Sequence, residues 1–272
     1  MGFSLWSQLV RAGLREPARI PIRKVIKTTS MNKIAPRIVV CTFSVLFSMV
    51  SAAQANTTLS LQEILDKVQS RYQKLQAYTA FFKQVTTSAA SSLTTEAAGK
   101  LYYQKPRQMR WDYDSPEAQT FVVNNQLAWL YVPVEKQISL FDAKALISSP
   151  LSRTFFDGVF ELKKDFQVEL DQKQSNQASA LLVLTPKTED PNIQNLRLQI
   201  DLQSFQLMSL ETRDALGNTN RITLESQKEK SSLDGTLFRL DIPPNTAVLD
   251  ADGREIGPAQ IQRLKDQTKV VE

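Results

Sequence analysis

The segment from Gly99 to Pro133 constrains the fold most, because large apolar side chains alternate with polar ones along three short runs. It holds both tryptophans that lie beyond residue 55 and four of the six tyrosines. Successive side chains of a strand point to opposite faces, so this alternation predicts three antiparallel strands that share one broad apolar face. The apolar rows are Met109-Trp111-Tyr113, Phe121-Val123 and Leu127-Trp129-Tyr131.

Two interpretations of this apolar face remain open from the residues alone. Buried aromatic side chains mostly pack against one another, so the face is the core of a β-domain on the first interpretation. On the second, the sheet curves around a cavity that holds one apolar ligand, as small antiparallel barrels do. Alternation predicts the face in both cases and does not separate them.

Periodicity along the rest of the chain predicts an α+β fold. Ser60 and Glu63 form a capping box that opens a helix over residues 60–76, with apolar residues at helical spacing. Ser149-Pro150 begins a short apolar helical insertion, and strand alternation resumes from Phe166 to Ile242. About ten antiparallel strands with two helical insertions predict a sheet or half-barrel in a single domain. The regular secondary structure is expected to end at Pro243-Pro244.

Residues 31–55 predict an export signal. A basic start at Lys33 and Arg37 precedes an apolar run over 38–50, and Ala53-Gln54-Ala55 is a small-x-small cleavage site. We expect cleavage before Asn56, which leaves 1–55 as leader and 56–272 as the domain. Met31 starts the signal, so residues 1–30 are either a long n-region or precede the true start. Val40 before Cys41 disfavours a lipid-attachment site, which needs a small residue there.

The net positive charge of the chain comes from this leader. Residues 1–55 contain eight of the 33 Lys and Arg and one of the 28 Asp and Glu, so residues 56–272 keep 25 basic and 27 acidic residues. A nucleic-acid-binding protein needs a net or clustered positive surface, so no nucleic-acid partner is expected. The predicted domain has no cysteine and therefore no disulfide.

Most catalytic chemistry is absent from the sequence. The chain contains no histidine, which excludes Ser-His and Cys-His nucleophilic pairs and removes the commonest metal ligand. No phosphate-binding glycine loop or EF-hand spacing is present. Asp112 and Asp114 lie two residues apart and are either a carboxylate pair or solvated surface acids. We expect no catalytic residue, no metal site and no cofactor.

A set of spaced motifs runs through the predicted domain. The motifs are Gly99-x-Leu101, Lys105-Pro106, Met109-Arg110-Trp111, Pro116, Leu127-x-Trp129-x-Tyr131-x-Pro133, Val183-Leu184-Thr185-Pro186-Lys187 and Pro243-Pro244. Together they resemble the LolA family of periplasmic outer-membrane lipoprotein carriers. The resemblance covers most of residues 56–272, and the signal without a lipid-attachment site resembles the carrier rather than its lipid-anchored receptor, LolB. The family implies a half-open antiparallel β-barrel of about ten to eleven strands, closed by a helical lid.

The resemblance also implies roles for individual residues. In the family an arginine precedes the proline of the Lys105-Pro106 motif and holds the lid shut, so Lys105 is the expected latch, with Arg107 as an alternative. Lysine lacks the planar fork of arginine, so this latch is expected to be weaker. The expected lid residues are Leu151, Phe155 and Phe156. The expected acyl-chain cavity consists of Leu61, Leu65, Leu101, Met109, Trp111, Phe121 and Trp129.

The resemblance implies a monomeric periplasmic carrier without enzymatic activity. It would take the acyl chains of lipoprotein cargo from an inner-membrane ABC transporter and deliver them to LolB at the outer membrane. The alternative is a periplasmic lipid-sensing regulatory domain of the same fold. A third hypothesis, an enzyme acting on envelope lipids or glycans, requires a carboxylate mechanism because histidine and cysteine are missing.

Overall fold

The computed structural model describes residues 59–148, 162–190 and 193–267, which form one large sheet with short helices. The helices are α1 (Leu61–Lys74), α2 (Ala143–Ser148), α3 (Leu162–Asp165) and α4 (Pro258–Gln267). Two 3-10 turns occur at Pro133–Glu135 and Gly235–Phe238. The strands are β1 (Ala77–Thr87), β2 (Thr94–Gln104), β3 (Gln108–Ser115), β4 (Gln119–Val123), β5 (Ala128–Val132), β6 (Gln137–Phe141), β7 (Phe166–Leu170), β8 (Ser179–Pro186), β9 (Asn195–Asp201), β10 (Leu207–Arg213), β11 (Thr219–Lys230) and β12 (Ala247–Leu249).

The sheet is unclosed, with the order β12-β6-β5-β4-β3-β2-β1-β11-β10-β9-β8-β7. Its pairs are antiparallel apart from β12, which runs parallel to β6. The predicted α+β class with a half-open antiparallel sheet is therefore confirmed. The described residues contain twelve strands rather than ten or eleven. One that the sequence did not reveal is β12, an edge strand of only three residues.

Helix α1 forms where the capping box predicted it. The Ser60 backbone N–H donates to Glu63 Oε2 at 2.8 Å, and the Glu63 backbone N–H donates to Ser60 Oγ at 3.3 Å. These bonds satisfy N–H groups that a helix start would otherwise leave unpaired. The helix buries one stripe, Ile64, Leu65 and Val68, against the sheet.

The C-terminal segment, residues 231–267, departs from the sequence prediction. Phe238 to Ile242 is not a strand: a 3-10 turn ends at Phe238, and irregular backbone leads to Pro243-Pro244, which lack the N–H that a ladder needs. Regular structure also resumes beyond the prolines, in β12 and α4. The segment packs on the sheet through Phe238, Leu240, Val248 and Ile256, which are all buried.

Side-chain hydrogen bonds fix this segment to the sheet. Asn124 Nδ2 donates to the Phe238 carbonyl at 3.1 Å, and Arg110 Nη1 donates to the Leu237 carbonyl at 3.0 Å. Asn124 Oδ1 also accepts the N–H groups of Gln126 and Leu127, which holds the turn between β4 and β5. The predicted leader and the expected lid residues lie outside the described residues. None of the described helices has the length and apolarity needed to cross a membrane.

Candidate functional site

The sheet face that carries α1, called the helix face below, has apolar rows on both halves of the sheet. Residues directly opposite each other in an antiparallel pair point to the same side. On one half of the sheet the register therefore aligns Ala80, Leu101, Trp111, Phe121 and Leu130 in a single row across five strands. On the other half it aligns Ile222, Leu210, Leu198 and Leu182.

These rows belong to two clusters of buried side chains. The aromatic cluster lies on β1 to β5, β11 and α2, and the aliphatic cluster lies on β7 to β10 beneath α1. Tyr72 and Leu207 pack against both clusters, which makes the helix face continuous. Members of the aromatic cluster include Tyr78, Phe82, Leu101, Tyr103, Met109, Trp111, Phe121 and Leu130.

Aromatic rings pack edge-on in the centre of this face. The ring of Phe82 lies 4.8 Å from that of Trp111 and 4.9 Å from that of Tyr113, with interplanar angles of 73° and 78°. Phe121 meets Phe141 at 6.2 Å and 69°. Edge-to-face packing of this kind adds about 0.5–1.5 kcal/mol per pair to the burial of the rings. The centre of the face is thus built from rings with defined geometry.

Most of the expected cavity residues lie on the helix face. Leu101, Met109, Trp111 and Phe121 are buried together in the aromatic cluster. Leu65 is buried in the aliphatic cluster and Leu61 packs against it, so the two leucines of α1 lie over the other half of the face. Six of the seven expected cavity residues thus lie on one face, in two groups.

Trp129 is the exception, because it lies on the opposite face. It pairs with Val122 in β4 and is buried with Phe238, Leu240 and Val248 of the C-terminal segment. The register places Leu130 opposite Phe121, so Leu130 takes the helix-face position that was expected for Trp129. Both faces of β5 are covered, and its continuous apolar run therefore gave no sign of which residues face α1.

Lys105 contacts the end of α1. Its ammonium donates to the carbonyls of Tyr72 at 2.8 Å and Gln73 at 2.9 Å, which belong to the last turn of the helix. Those carbonyls lack partners within the helix, and the negative end of the helix dipole attracts a cation. Burial lowers the pKa of Lys105 from its ordinary value. Arg107 is exposed and has a positive φ of 54°.

The expected latch role of Lys105 and Arg107 concerns lid residues outside the described part of the chain, and it stays a prediction. What the geometry gives is a cation that fixes the C-terminus of α1 to the turn between β2 and β3. The backbone N–H of Lys105 also donates to the Gln76 carbonyl at 2.8 Å. Arg71 adds a second anchor by donating to the Ser204 carbonyl at 3.1 Å.

Replacing Lys105 by methionine should lower the free energy of unfolding by about 1–2 kcal/mol, since methionine keeps the aliphatic stem and loses two charge-assisted hydrogen bonds. Urea unfolding followed by circular dichroism measures the change. Lys228→Met, at an exposed lysine of β11, is the matched control and should change stability by less than about 0.5 kcal/mol. Equal effects of the two substitutions would contradict the helix-anchoring role.

A polar cluster on the helix face was not found from the sequence. The Tyr113 hydroxyl donates to Gln84 Oε1 at 3.1 Å, and Gln84 Nε2 donates to Asn220 Oδ1 at 3.0 Å. Thr86 Oγ1 donates to the same oxygen at 3.1 Å. Burial raises the pKa of Tyr113, so its hydroxyl remains a donor. The cluster joins strands that are distant in sequence, and only strand pairing reveals it.

Of the two carboxylates considered in the sequence, Asp112 has structural partners. The Arg110 Nε–H is shared between the two carboxylate oxygens of Asp112, each at 2.9 Å, and the Thr120 hydroxyl donates to Asp112 Oδ1 at 2.9 Å. Asp114 is exposed. The described residues contain no group of three or more metal-ligating side chains. Asp112 therefore serves a hydrogen-bond network between β3, β4 and Arg110.

Comparisons with known proteins agree with these motifs. The sequence profile of the family "Outer membrane lipoprotein carrier protein LolA" matches residues 73–241. An outer-membrane lipoprotein carrier protein of Pseudomonas aeruginosa is 25% identical over 199 residues, which cover 73% of this chain and 91% of that protein. The carrier protein of Cupriavidus taiwanensis is 28% identical over 212 residues, 77% of this chain and 95% of that protein.

One solved structure of similar fold is a LolA superfamily protein from Nitrosomonas europaea. It superposes with a TM-score of 0.39 and 13% sequence identity, over 68% of this chain and 99% of that one.

Proposed function

This chain belongs to the LolA family of outer membrane lipoprotein carrier proteins, and on that premise we propose that it binds the acyl chains of lipoproteins on its helix face. The carrier acts in the periplasm, after export directed by residues 31–55. It takes its cargo from an inner-membrane lipoprotein-releasing ABC transporter and delivers it to the receptor LolB at the outer membrane. No chemical step on the cargo is involved, because the task is binding and release.

The observation that carries this proposal is the continuous apolar row from Ala80 to Leu130, extended by the aliphatic cluster under α1. Each methylene removed from water contributes about 0.8 kcal/mol, so burying an acyl chain of a dozen methylenes is favourable by on the order of 10 kcal/mol. A sheet face lined with rings and aliphatic side chains can bury such a chain. The polar cluster on this face, formed by Gln84, Asn220 and Tyr113, is uncharged.

Release of a lipoprotein from inner-membrane spheroplasts tests the proposal. Purified protein should release cargo as a soluble complex, which gel filtration and immunoblotting detect. Phe141→Asp should reduce release by about tenfold or more, because it places a charge at the edge of the aromatic cluster, where Phe141 is half-buried. Phe81→Asp is the matched control on the other face of β1, where Phe81 is 50% exposed, and should release normally.

Absence of release by the wild-type protein, under conditions in which another LolA protein releases cargo, would contradict the carrier function. Equal loss in both variants would instead contradict the assignment of binding to the helix face. Circular dichroism spectra of both variants ensure that the comparison is made between folded proteins.

A further inference from the structure

The helix face contains a buried hydrogen-bond donor without a partner. Asn220 is 8% exposed, and its Nδ2 has no hydrogen-bond partner among the described residues. Thr246 Oγ1 is the other such atom in this part of the chain, and it lies in the C-terminal segment, next to β12. An unpaired buried donor typically costs about 1–3 kcal/mol, and most buried polar groups therefore have partners. The donor of Asn220 requires an explanation.

The neighbours of Asn220 fix the orientation of its side-chain amide. Gln84 Nε2 and Thr86 Oγ1 both donate to Oδ1, at 3.0 and 3.1 Å, which occupies the two lone pairs of that oxygen. Gln84 is itself held by the Tyr113 hydroxyl at 3.1 Å. Because the oxygen and nitrogen of an amide diverge from one carbon, Nδ2 points away from β1, where Gln84 and Thr86 lie.

The donor lies at the seam between the two halves of the helix face. Asn220 pairs with Thr86 on one side and Thr212 on the other. Ile222 lies two residues further along β11, on the same face, and pairs with both Gln84 and Leu210. Ile222 belongs to the aromatic cluster and Leu210 to the aliphatic cluster. An acyl chain lying on either half can therefore bring its polar end to Asn220.

The chemistry around the donor selects a neutral acceptor. Its neighbours in the hydrogen-bond network and ladder, Gln84, Thr86, Tyr113 and Thr212, are all uncharged, and a phosphate or carboxylate would need a cation in so buried a place. We propose that Asn220 Nδ2 donates a hydrogen bond to the carbonyl oxygen of an acyl ester, and so sets the position of the chain on the helix face. This subsite rests on the proposed function.

A pair of lipids that differ only in the carbonyl tests the subsite. The probes are dioctanoylglycerol, which has ester carbonyls, and dioctylglycerol, its ether analogue, and titration calorimetry measures their binding to protein purified from cells expressing the full chain. The ether is the more apolar probe, so apolar burial alone favours it. We expect the wild type to bind the ester about three- to tenfold more tightly, the value of one hydrogen bond.

Variants separate the donor from the rest of the cluster. Asn220→Leu should abolish the preference for the ester and leave the affinity for the ether within about twofold. Thr86→Val is the matched control: it removes a bond to Oδ1, leaves Nδ2 in place and should keep the preference. If Asn220→Leu does not fold, Asn220→Asp replaces it, because the carboxylate keeps the acceptor for Gln84 and lacks the donor.

Loss of the preference in an Asn220 variant, together with its retention in Thr86→Val, supports the subsite. Equal affinity of the wild type for both lipids overturns the subsite and leaves the carrier function standing. A preference that survives in the Asn220 variants overturns the role of this residue. Failure of the wild type to bind either lipid contradicts the carrier function itself, and the subsite falls with it.

Discussion

Replacing Gly99 by alanine is expected to lower the free energy of unfolding by about 3 kcal/mol. A Cβ at this position would lie 1.9 Å from the Asp112 carbonyl oxygen and 2.9 Å from the Tyr113 Cα. Both atoms are backbone atoms of β3, the neighbouring strand, so no side-chain rotation relieves the clash. The strands would have to separate where Phe82, Trp111 and Tyr113 pack edge to face.

Urea unfolding of Gly99→Ala measures this loss, and Gly257→Ala is the matched control. A Cβ at Gly257 meets nothing within 4 Å, so the control should lose less than about 1 kcal/mol. Comparable stability of the two variants would show that the β2–β3 pair tolerates the methyl group, and would contradict the expected clash with β3. Because Gly99 opens the Gly99-x-Leu101 motif, the result also tests why a glycine stands there.

Truncating Trp129 to alanine should lower the free energy of unfolding by about 3–5 kcal/mol and loosen the C-terminal segment, residues 231–267. Trp129 is 3% exposed and packs on Phe238, Leu240 and Val248, so its removal leaves a cavity between β5 and that segment. Its effect on ligand binding should be small, because it lies on the face opposite α1. Hydrogen exchange of residues 233–256, read by mass spectrometry, reports the loosening.

Trp111→Ala is the matched substitution on the helix face. It should cost a similar free energy, since Trp111 is 4% exposed. It should leave hydrogen exchange of residues 233–256 unchanged and weaken binding of the ether lipid. Trp129→Ala should instead speed hydrogen exchange of those residues and have little effect on binding of the ether lipid. Weakened lipid binding in Trp129→Ala with a fully protected C-terminal segment would place Trp129 back on the helix face.

Helices and strands of clear period were accessible from the sequence because their signals are local. The capping box of Ser60 and Glu63 started α1, and the alternation from Phe166 to Leu224 gave β7 to β11 at about their observed positions. Phe238 to Ile242 alternates in the same way and is not a strand. Alternation requires only two different environments, and a segment lying flat on a sheet satisfies it without a ladder.

The helix face was predictable where its partner face is polar, and unpredictable where both faces are covered. In β3 the polar side chains of Arg110 and Asp112 identify the other face, so Met109 and Trp111 were assigned correctly. In β5 the run Ala128–Val132 is apolar on both sides. A shift of one residue in register exchanges the two faces, and only pairing with β4 fixes it.

Local sequence patterns were enough to predict the α+β class, the start of α1 and the apolar character of the strands, since capping and alternation act between residues a few positions apart. Three features became known only from the folded chain: which side of β5 faces α1, that residues 233–256 cover Trp129, and that Lys105 contacts the end of α1. The tertiary structure also brings Gln84 to Asn220, 136 positions away. These contacts depend on strand order and register, which no local pattern specifies.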